Sequence, residues 1–416
     1  MLLEFRIKNF KSFRDEIVFS LNANKDKTNK QTHLLATQIK SLPFVVASAA
    51  IYGANASGKS NLIEALLFFK GMVSQSALIS PNEIFNLKPF ALEPKAKESA
   101  TEFEITFLMD GVRYQYGFAM TSTQIIEEWL YVYKSAKPQQ WFYRQMDQKN
   151  QQTSFKFSSY LSGQKQVWQT ATKENALFLS TAVLLNSEQL TRVFNWITQS
   201  LVFFDTQSMP SNTFSTQMLT DAETKQDIVH FLNTADISID DLTAKQEKGV
   251  RQRVEIDPLT GDAKTSRQEV ERLKPLFHHK SEAGSAIFEL SEESLGTQRL
   301  FALAGPILDI LKKGRVLIFD ELDSSFHTLL AKRLVELFHS QANQHASQLI
   351  FTTHDTALLH DDLLRRDQVW FIEKNKQQVS HLYPLTDFSP RKKESIERGY
   401  MLGRYGAVPF FQDLLN

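Results

Sequence analysis

The sequence predicts an α/β protein built on short, buried parallel strands, and three observations lead to this fold class. An apolar run over residues 44–52 leads directly into the glycine-containing segment 53–60 and then into an apolar helix. Residues 316–319 and 348–353 are two further apolar runs that are short enough to be buried strands. Both runs end in ionisable side chains, which indicates a site for a cation or a reaction.

The segment 53–60 reads Gly-Ala-Asn-Ala-Ser-Gly-Lys-Ser and fits the pattern G-x-x-x-x-G-K-[ST] between a strand and a helix. Its glycines permit backbone angles that wrap amides around a β-phosphate. Lys59 is placed to reach the β- and γ-phosphates, and Ser60 to offer a hydroxyl to Mg²⁺. The predicted nucleotide-binding residues of this segment are Gly53, Asn55, Ser57, Gly58, Lys59, Ser60 and Asn61.

Adjacent carboxylates follow the apolar run 316–319. We predict that Asp320 holds Mg²⁺, directly or through water, and that Glu321 orients and deprotonates an attacking water. The alternative is an ordinary strand that ends in a solvated acidic turn.

Two other segments have features of phosphate sites. Residues 294–299 form a small turn that opens an apolar helix over residues 300–311, so the free N–H groups of the helix make an anion site. His354 ends the apolar run 348–353, where an imidazole could bond a γ-phosphate or its attacking water. A lone histidine is more often structural, but its position after a core strand and soon after the paired acids favours function.

The sequence pattern in the middle of the chain, residues 76–289, predicts an antiparallel β region with helices. Two alternating runs flank Asp110-Gly111, which is a strong hairpin signal, and a meander with interleaved aromatics follows. Those aromatics could stack bases, although packing against a helix is the favoured interpretation. No sustained heptad pattern indicates a coiled-coil arm. The predicted strands here are 101–108, 112–120, 125–134, 140–144 and 201–204, and the predicted helices are 174–185, 188–199 and 222–232.

The remaining segments are predicted from shorter signals. Residues 246–280 are rich in basic residues but carry nearly as many acids, so we expect solvated strands there. His278 and His279 have no third metal ligand at a spacing typical of a metal site, so we expect no metal site. The other expectations are strands at 3–8 and 16–21, a loop over 22–42, helices at 62–69 and 329–340, strands at 367–373 and 379–383, and a basic helical tail at 391–398.

Composition narrows the classes of function. The 416 residues are 42% hydrophobic and 23% charged, which is ordinary for a globular protein of two or three domains. Lys plus Arg and Asp plus Glu number 47 each, so no global field attracts nucleic acid. The absence of cysteine excludes disulfides and thiol catalysis. Without a signal-peptide pattern or an apolar run of 18 residues, we expect a cytoplasmic protein with no membrane contact.

The order of these motifs resembles the ABC-class ATPase heads of the SMC, RecF and overcoming-lysogenization-defect group. The segments FRIKNFKSF, ESLGTQRL, DELDSSFH, FTTHD and YMLGRYGAVP look closer still to the small AAA-type "ATP/GTP phosphatase" family, with the RloA, AbiLi, PtuA and AriA proteins of anti-phage systems. The fold class implied is a P-loop ABC-type ATPase head with a mixed sheet core, flanking helices and an antiparallel β region. A helical and β insertion would separate Walker A from the signature.

The resemblance also implies domains and roles. Residues 1–75 would be the N-terminal half of the head, 76–289 the insertion, and 290–416 the C-terminal half. ATP would lie between Walker A of one subunit and the signature of another, so that Ser294 and Gly296 act in trans on ATP. Asp323 would be the D-loop acid that contributes to the ATP site, and His354 the switch histidine. The predicted catalytic residues are then Glu321, His354 and Lys59, with Ser60 and Asp320 at Mg²⁺.

Hydrolysis would drive a homodimer or higher oligomer between open and closed states. We expect a regulator of an anti-phage system that controls a separately encoded toxin or nuclease, because this chain has no second catalytic constellation. The alternative is a DNA-binding repair or recombination ATPase of RecF or SMC type, for which the basic tail and residues 246–280 are the only hints. The sequence leaves nucleic-acid binding open.

Overall fold

The computed structural model of the chain describes residues 1–147, 149–150, 152–205, 210–235, 237–256, 263–389 and 394–408. The chain forms two compact units, one made of Met1–Thr206 with Lys313–Asn416 and the other of Gln207–Lys312. The three-part division at residues 75 and 289 stays a prediction about sequence segments. Among the described residues, no helix is long and apolar enough to cross a membrane.

The described strands and helices alternate along the chain. The strands are β1 Leu2–Lys8, β2 Ile17–Ser20, β3 Leu34–Ile39, β4 Leu42–Val46, β5 Ser48–Tyr52, β6 Thr101–Met109, β7 Val112–Met120, β8 Ile125–Tyr133, β9 Gln139–Asp147, β10 Gln152–Phe157, β11 Leu201–Phe204, β12 Asp241–Ile256, β13 Ala263–Ser281, β14 Gly284–Glu289, β15 Val316–Phe319, β16 Gln348–Thr352, β17 Val369–Lys374 and β18 Ser380–Pro384. The helices are α1 Lys30–His33, α2 Lys59–Gln75, α3 Pro94–Glu98, α4 Lys165–Ala171, α5 Phe178–Leu184, α6 Glu188–Asn195, α7 Asn212–Met218, α8 Ala222–Thr234, α9 Leu295–Lys313, α10 Leu322–Ser325, α11 Thr328–Phe338 and α12 Ile396–Met401.

A six-stranded sheet in the order β11-β15-β16-β5-β17-β18 carries the predicted phosphate motifs. Its first five strands are parallel, and only β18 runs antiparallel to its neighbour β17. Strands β5, β15 and β16 are buried along their whole lengths, as expected for a parallel sheet covered on both faces. The predicted α/β fold class is therefore confirmed. Parallel strands place their carboxyl ends at one edge, so the segments that follow β5, β15, β16 and β17 meet there.

A seven-stranded antiparallel sheet in the order β10-β9-β8-β7-β6-β1-β2 forms the other large layer of the first unit. The predicted hairpin is confirmed: β6 and β7 pair through to Met109 and Val112. The two turn residues, Asp110 and Gly111, have φ values of 51° and 73°, as a type I′ turn requires. Of the interleaved aromatics, Trp141 is buried and the Trp129 ring lies over Gly117 of the neighbouring strand.

The apolar run 44–52 is two strands and not one. Strand β4 ends at Val46 and pairs with β3 in a separate two-stranded sheet, whereas β5 begins at Ser48 in the parallel sheet. The prediction of a loop throughout 22–42 is wrong over the four-residue helix α1 and over β3, because β3 exists through its pairing with β4 and shows no periodic pattern of its own.

The second unit contains a long antiparallel hairpin of β12 and β13, with β14 paired at its base. The expected strands in 246–280 are confirmed for the described residues. His278 contacts the hydroxyl of Thr243 at 2.9 Å, and His279 contacts a carboxylate oxygen of Glu293 at 2.7 Å. Neighbouring residues of a strand point to opposite faces, so these two histidines do not converge.

Two further predicted segments differ from the structure. Helix α9 begins at Leu295, five residues before the expected start, so the predicted turn forms its first turn. Helix α12 spans Ile396–Met401 and overlaps only the last three residues of the helical tail expected at 391–398; residues 391–393 lie outside the described residues.

Candidate nucleotide-binding site

A cleft of about 280 Å³ lies at the carboxyl edge of the parallel sheet. The structure brings eight of the predicted site residues together around it, with Ala56 and Lys374 in addition. The lining residues are Asn55, Ala56, Ser57, Gly58, Lys59, Ser60, Asn61, Glu321, His354 and Lys374.

The loop between β5 and α2 adopts the tight conformation that its sequence predicts. Ala56 and Gly58 both have positive φ, at 60° and 116°. Gly53 lies behind the loop rather than in the cleft, and any side chain there would collide with the carbonyl oxygen of Ile372 on β17. The glycine requirement at position 53 therefore comes from the close approach of the neighbouring strand.

Lys59 is the first residue of α2, and its side chain folds back inside the loop. Its Nζ donates hydrogen bonds to the carbonyl oxygens of Gly53 at 2.8 Å and Ala54 at 3.2 Å. Burial lowers the pKa of Lys59 to about 8, and the carboxylates of Asp320 and Glu321 oppose that shift. A phosphate in the cleft would supply the negative charge that this buried ammonium lacks.

A single threonine, Thr352 at the end of β16, links the two predicted acids. Its hydroxyl donates to Oδ1 of Asp320 at 2.5 Å and accepts from the backbone N–H of Glu321 at 2.7 Å. Glu321 itself has φ 56° and ψ 62°, a left-handed conformation that is uncommon for a glutamate. Oε2 of Glu321 accepts a hydrogen bond from the exposed Ser324 hydroxyl at 3.2 Å. The bond from Thr352 thus fixes the backbone at Glu321, and the Glu321 side chain lines the cleft.

His354 lies in the loop after β16, and Asp323 lies in the short helix α10. The backbone N–H of His354 donates to Oδ1 of Asp323 at 3.2 Å, so Asp323 supports the histidine loop and does not line the cleft itself. Desolvation, and then the charge of Lys59, lower the pKa of His354, although Asp323, Glu321 and Asp320 oppose the shift. The neutral imidazole is therefore favoured at neutral pH, with one nitrogen able to donate and the other to accept.

The residues predicted to hold Mg²⁺ fit a hard cation. Ser60 lines the cleft, and Asp320 is fixed by Thr352 through one of its two oxygens. Among the described residues, no group of three or more His, Asp or Glu side chains could hold a metal ion by itself. Proteins usually bind Mg²⁺ through one or two side chains together with substrate phosphates and water, so the Ser60 hydroxyl and the Asp320 carboxylate form a fitting donor set.

The predicted signature residues belong to the second unit. Ser294 precedes α9, and its Oγ accepts from the backbone N–H of Thr297 at 3.1 Å, which makes it the N-cap of a 19-residue helix. Ser294 and Gly296 are both exposed. The first turn of α9 is therefore accessible within this unit.

Sequence reasoning missed several residues of the site. Thr352 lies in the predicted strand 348–353 and Ser380 in the predicted strand 379–383, while Lys374 directly follows the predicted strand 367–373; none of the three has a predicted role. Ser12 lies between the predicted strands 3–8 and 16–21 and has no predicted role, although its hydroxyl lies against the phosphate loop. Only tertiary pairing brings these side chains to the loop, so no local pattern could have identified them.

The profile of one protein family matches residues 48–360, which include the phosphate loop, both acids and His354. That family is described as "AAA domain, putative AbiEii toxin, Type IV TA system". The chain belongs to this AAA-domain family. The match covers most of the chain and agrees with the P-loop fold class. No curated protein matches the sequence.

Solved structures similar to this AAA-family chain include SMC head domains. The SMC head domain from Thermotoga maritima is 15% identical, with a TM-score of 0.42 over 92% of this chain and 98% of that one. An SmcHead bound to the C-winged helix domain of ScpA is 16% identical, with a TM-score of 0.43 and coverage of 92% and 96%. The Smc head domain from Pyrococcus furiosus with an extended coiled coil, bound to the C-terminal domain of ScpA, is 14% identical, with a TM-score of 0.41 and coverage of 97% and 98%.

Proposed function

We propose that the chain binds ATP in the cleft and hydrolyses it to ADP and phosphate. The observation that carries this proposal is the convergence of Lys59, Glu321 and His354 on one cleft at the carboxyl edge of the parallel sheet. A phosphate loop alone would support binding. The added carboxylate and imidazole supply groups that can act on an attacking water.

In this proposal the loop amides and the Lys59 ammonium bind the β- and γ-phosphates. Ser60 and Asp320 would hold Mg²⁺, which neutralises developing charge on the phosphates when bound. Binding would require the Lys59 Nζ to leave the carbonyls of Gly53 and Ala54 and turn toward the phosphate. The Lys59 ammonium would then bond a charged phosphate in place of two neutral carbonyls, and this stronger bond favours the nucleotide-bound state.

Glu321 would accept a proton from the water that attacks the γ-phosphorus. His354 would donate a hydrogen bond to the γ-phosphate oxygens from one ring nitrogen. Asp323 would act through the His354 backbone, because its carboxylate bonds that N–H group. The Ser324 hydroxyl would help to aim the Glu321 carboxylate.

The exposed first turn of α9 supports a role for the signature in trans. Ser294 and Gly296 would contact the γ-phosphate bound by a second copy, with the N–H groups at the helix start facing the phosphate. Two copies would then enclose ATP between them. Closing on ATP and opening after hydrolysis would make the chain a two-state switch.

The switch would regulate a bacterial anti-phage system by controlling a separately encoded effector. The description of the family as a putative toxin of a type IV toxin–antitoxin system supports a defence role. The alternative is a DNA-binding repair ATPase of RecF or SMC type. In β12 and β13 the described side chains carry both signs, with Lys274 close to Glu247 and Glu289, so no strongly basic face favours that alternative. Salt-dependent DNA binding by the purified protein would favour it instead.

The experiment that tests the proposed activity measures ATP binding and phosphate release for the wild type and for Glu321→Gln. We expect Glu321→Gln to bind ATP within about threefold of the wild type and to release phosphate at least about a hundredfold more slowly, since its amide cannot accept the water proton. Equal turnover in both proteins would remove Glu321 from the mechanism. Failure of the wild type to bind ATP would remove the whole proposal.

A further inference from the structure

Two buried serines from separate elements meet at the back of the phosphate loop. Ser12 lies in the turn between β1 and β2, and Ser380 is the first residue of β18; they are 9% and 1% exposed. Their hydroxyls lie 2.7 Å apart, and the Ser380 N–H also donates to the Ser12 carbonyl at 2.8 Å. We call Ser12 and Ser380 the serine clasp.

Each serine of the clasp also forms a hydrogen bond with a residue of the phosphate loop or of the helix α2 that follows it. The Asn61 side-chain amide on α2 donates to the Ser12 Oγ at 2.6 Å. The Ser380 hydroxyl donates to the backbone carbonyl of Ser57 at 2.5 Å. The Ser380 hydroxyl thus faces two acceptors, the Ser12 hydroxyl and the Ser57 carbonyl oxygen, and its contact with Ser57 is the shorter. The four groups form one connected hydrogen-bonded cluster that links Asn61 through the clasp to Ser57.

The contact with Ser57 fixes the orientation of one peptide unit. In a trans peptide the C=O and the following N–H point in opposite directions. Because the Ser57 carbonyl is held toward Ser380, the N–H of Gly58 must point away from the clasp. Gly58 has φ 116°, and any side chain on it would collide with the hydroxyls of Ser380 and Ser12. Gly58 also lines the cleft, so its N–H is available to a ligand there.

We propose that Ser12 and Ser380 are positioning residues for the nucleotide, which act by fixing the Gly58 N–H for a bond to the β-phosphate. This inference rests on the proposed nucleotide binding and adds to it the residues that pre-arrange the loop. An amide that is already oriented loses less conformational entropy when phosphate binds. Ser380 is the stronger contributor, since it bonds the peptide unit itself.

The effect of the clasp is specific for nucleotides that carry a β-phosphate. Replacing Ser380 by alanine frees the Ser57–Gly58 peptide to rotate and leaves its carbonyl without that partner. ADP and ATP use the Gly58 N–H, whereas AMP has no β-phosphate to bond it. A β-phosphate contact is made in the ground state and the transition state alike, so its loss raises KM and leaves kcat nearly unchanged.

The test is calorimetric titration of ADP and AMP into the wild type, Ser380→Ala, Ser12→Ala and a control, Ser180→Ala. Ser180 is also buried, and its hydroxyl donates to the Val73 carbonyl near the far end of α2, away from the loop. For Ser380→Ala we expect ADP affinity to fall about tenfold and AMP affinity to change less than twofold. The KM for ATP should rise about tenfold while kcat stays within about twofold. Ser180→Ala should leave both affinities unchanged.

Ser12→Ala keeps the bond from Ser380 to Ser57 and should cost ADP affinity about threefold, again without an effect on AMP. If Ser380→Ala does not fold, the ADP affinity of Ser12→Ala tests the positioning role instead. Unchanged ADP affinity in the folded variants, or equal losses for ADP and AMP, would overturn the positioning role. If the wild type bound neither ADP nor ATP, the failure would belong to the proposed function and not to the clasp.

Discussion

The nucleotide cleft and the middle of the antiparallel sheet both bring charged side chains together, but they use them differently. In the sheet, Glu128 accepts from the backbone N–H groups of Phe178 and Leu179 and from the Tyr116 hydroxyl, at 2.6, 2.9 and 3.0 Å. Arg144 lies 3.8 Å from Glu128 and donates to three backbone carbonyls around the start of α5. Both side chains are almost completely buried.

In the cleft, by contrast, Lys59 bonds only loop carbonyls, and the Glu321 carboxylate is half-buried beside an exposed histidine. Glu128 and Arg144 form the more deeply buried pair of charges, and burial raises the pKa of Glu128 although the charge of Arg144 opposes that shift. Their hydrogen bonds are nevertheless directed inward, to the Tyr116 hydroxyl and to the backbone around the start of α5, and the buried Nε of Arg144 alone in this pair lacks a partner. Charged groups therefore indicate a ligand site when their donors and acceptors face an open cleft. They indicate a structural role when most of those donors and acceptors are bonded to neighbouring groups.

The largest effect on stability should follow from Arg144→Met. The variant leaves Glu128 buried without its counter-ion and removes the Arg144 donor from three carbonyls, of which those of Lys173 and Glu174 keep a backbone N–H donor, so we expect a loss of about 3–5 kcal/mol in the free energy of unfolding. ADP affinity of the folded fraction should stay within about twofold. Denaturant unfolding and ADP titration measure the two quantities. A loss below about 1 kcal/mol, or a selective loss of ADP binding, would break the distinction between the two regions.

Lys59→Ala should produce the opposite pattern. Removal of the ammonium takes away the charged donor to the phosphates, so we expect ATP affinity to fall at least about a hundredfold. Stability without nucleotide should change little, because the buried ammonium bonds only neutral carbonyls in that state. The same two measurements apply, with Ser180→Ala as the control. A variant that unfolds without losing ATP affinity would make Lys59 a structural residue.

A second buried cluster predicts how acid affects stability. The rings of His33 and His339 stack with centroids 3.8 Å apart, and desolvation is the main cause that lowers the pKa of both, that of His339 well below the usual value. The unfolded chain, with histidine pKa near 6.5, therefore binds more protons than the folded chain just below that pH. Stability should be level above about pH 7 and fall with acidification, by up to about 2.7 kcal/mol per pH unit.

Denaturant unfolding between pH 5.5 and 7.5 measures this effect, in a window where most carboxylates stay ionised. The double variant His33→Gln/His339→Gln should flatten the profile. The same slope in the variant and the wild type would assign the pH dependence to other groups.

The smallest effect should follow from Ser324→Ala, which removes the hydroxyl that bonds Oε2 of Glu321 at 3.2 Å. Because Ser324 is exposed, water can replace it, and we expect kcat to fall by only about twofold to tenfold. ATP affinity should not change. Steady-state phosphate release gives both values, and a loss as large as that of Glu321→Gln would mean that Ser324 has a direct part in the reaction.

The sequence predicts the parallel core and the motifs at its edge because each is a local pattern. The apolar run Val316–Phe319 with its two acids and the segment 53–60 depend on residues next to one another; in the structure Val316–Phe319 is a strand, and Glu321 and residues 55–60 line one cleft. The strand break at Ala47 and the serine clasp depend on which strands become neighbours. Ser12 and Ser380 are separated by 368 positions, so no periodicity or spacing could relate them.

We propose that ATP closes two copies of the chain and that Glu321 is needed to open them. The most direct test is the mass of the wild type and Glu321→Gln in solution, with and without ATP and Mg²⁺. We predict that Glu321→Gln with ATP forms a stable particle of twice the 47.7 kDa chain mass with unhydrolysed ATP bound, and that adding Ser294→Arg prevents it. If both proteins bind ATP and remain at the mass of one chain, the switch between two copies is contradicted.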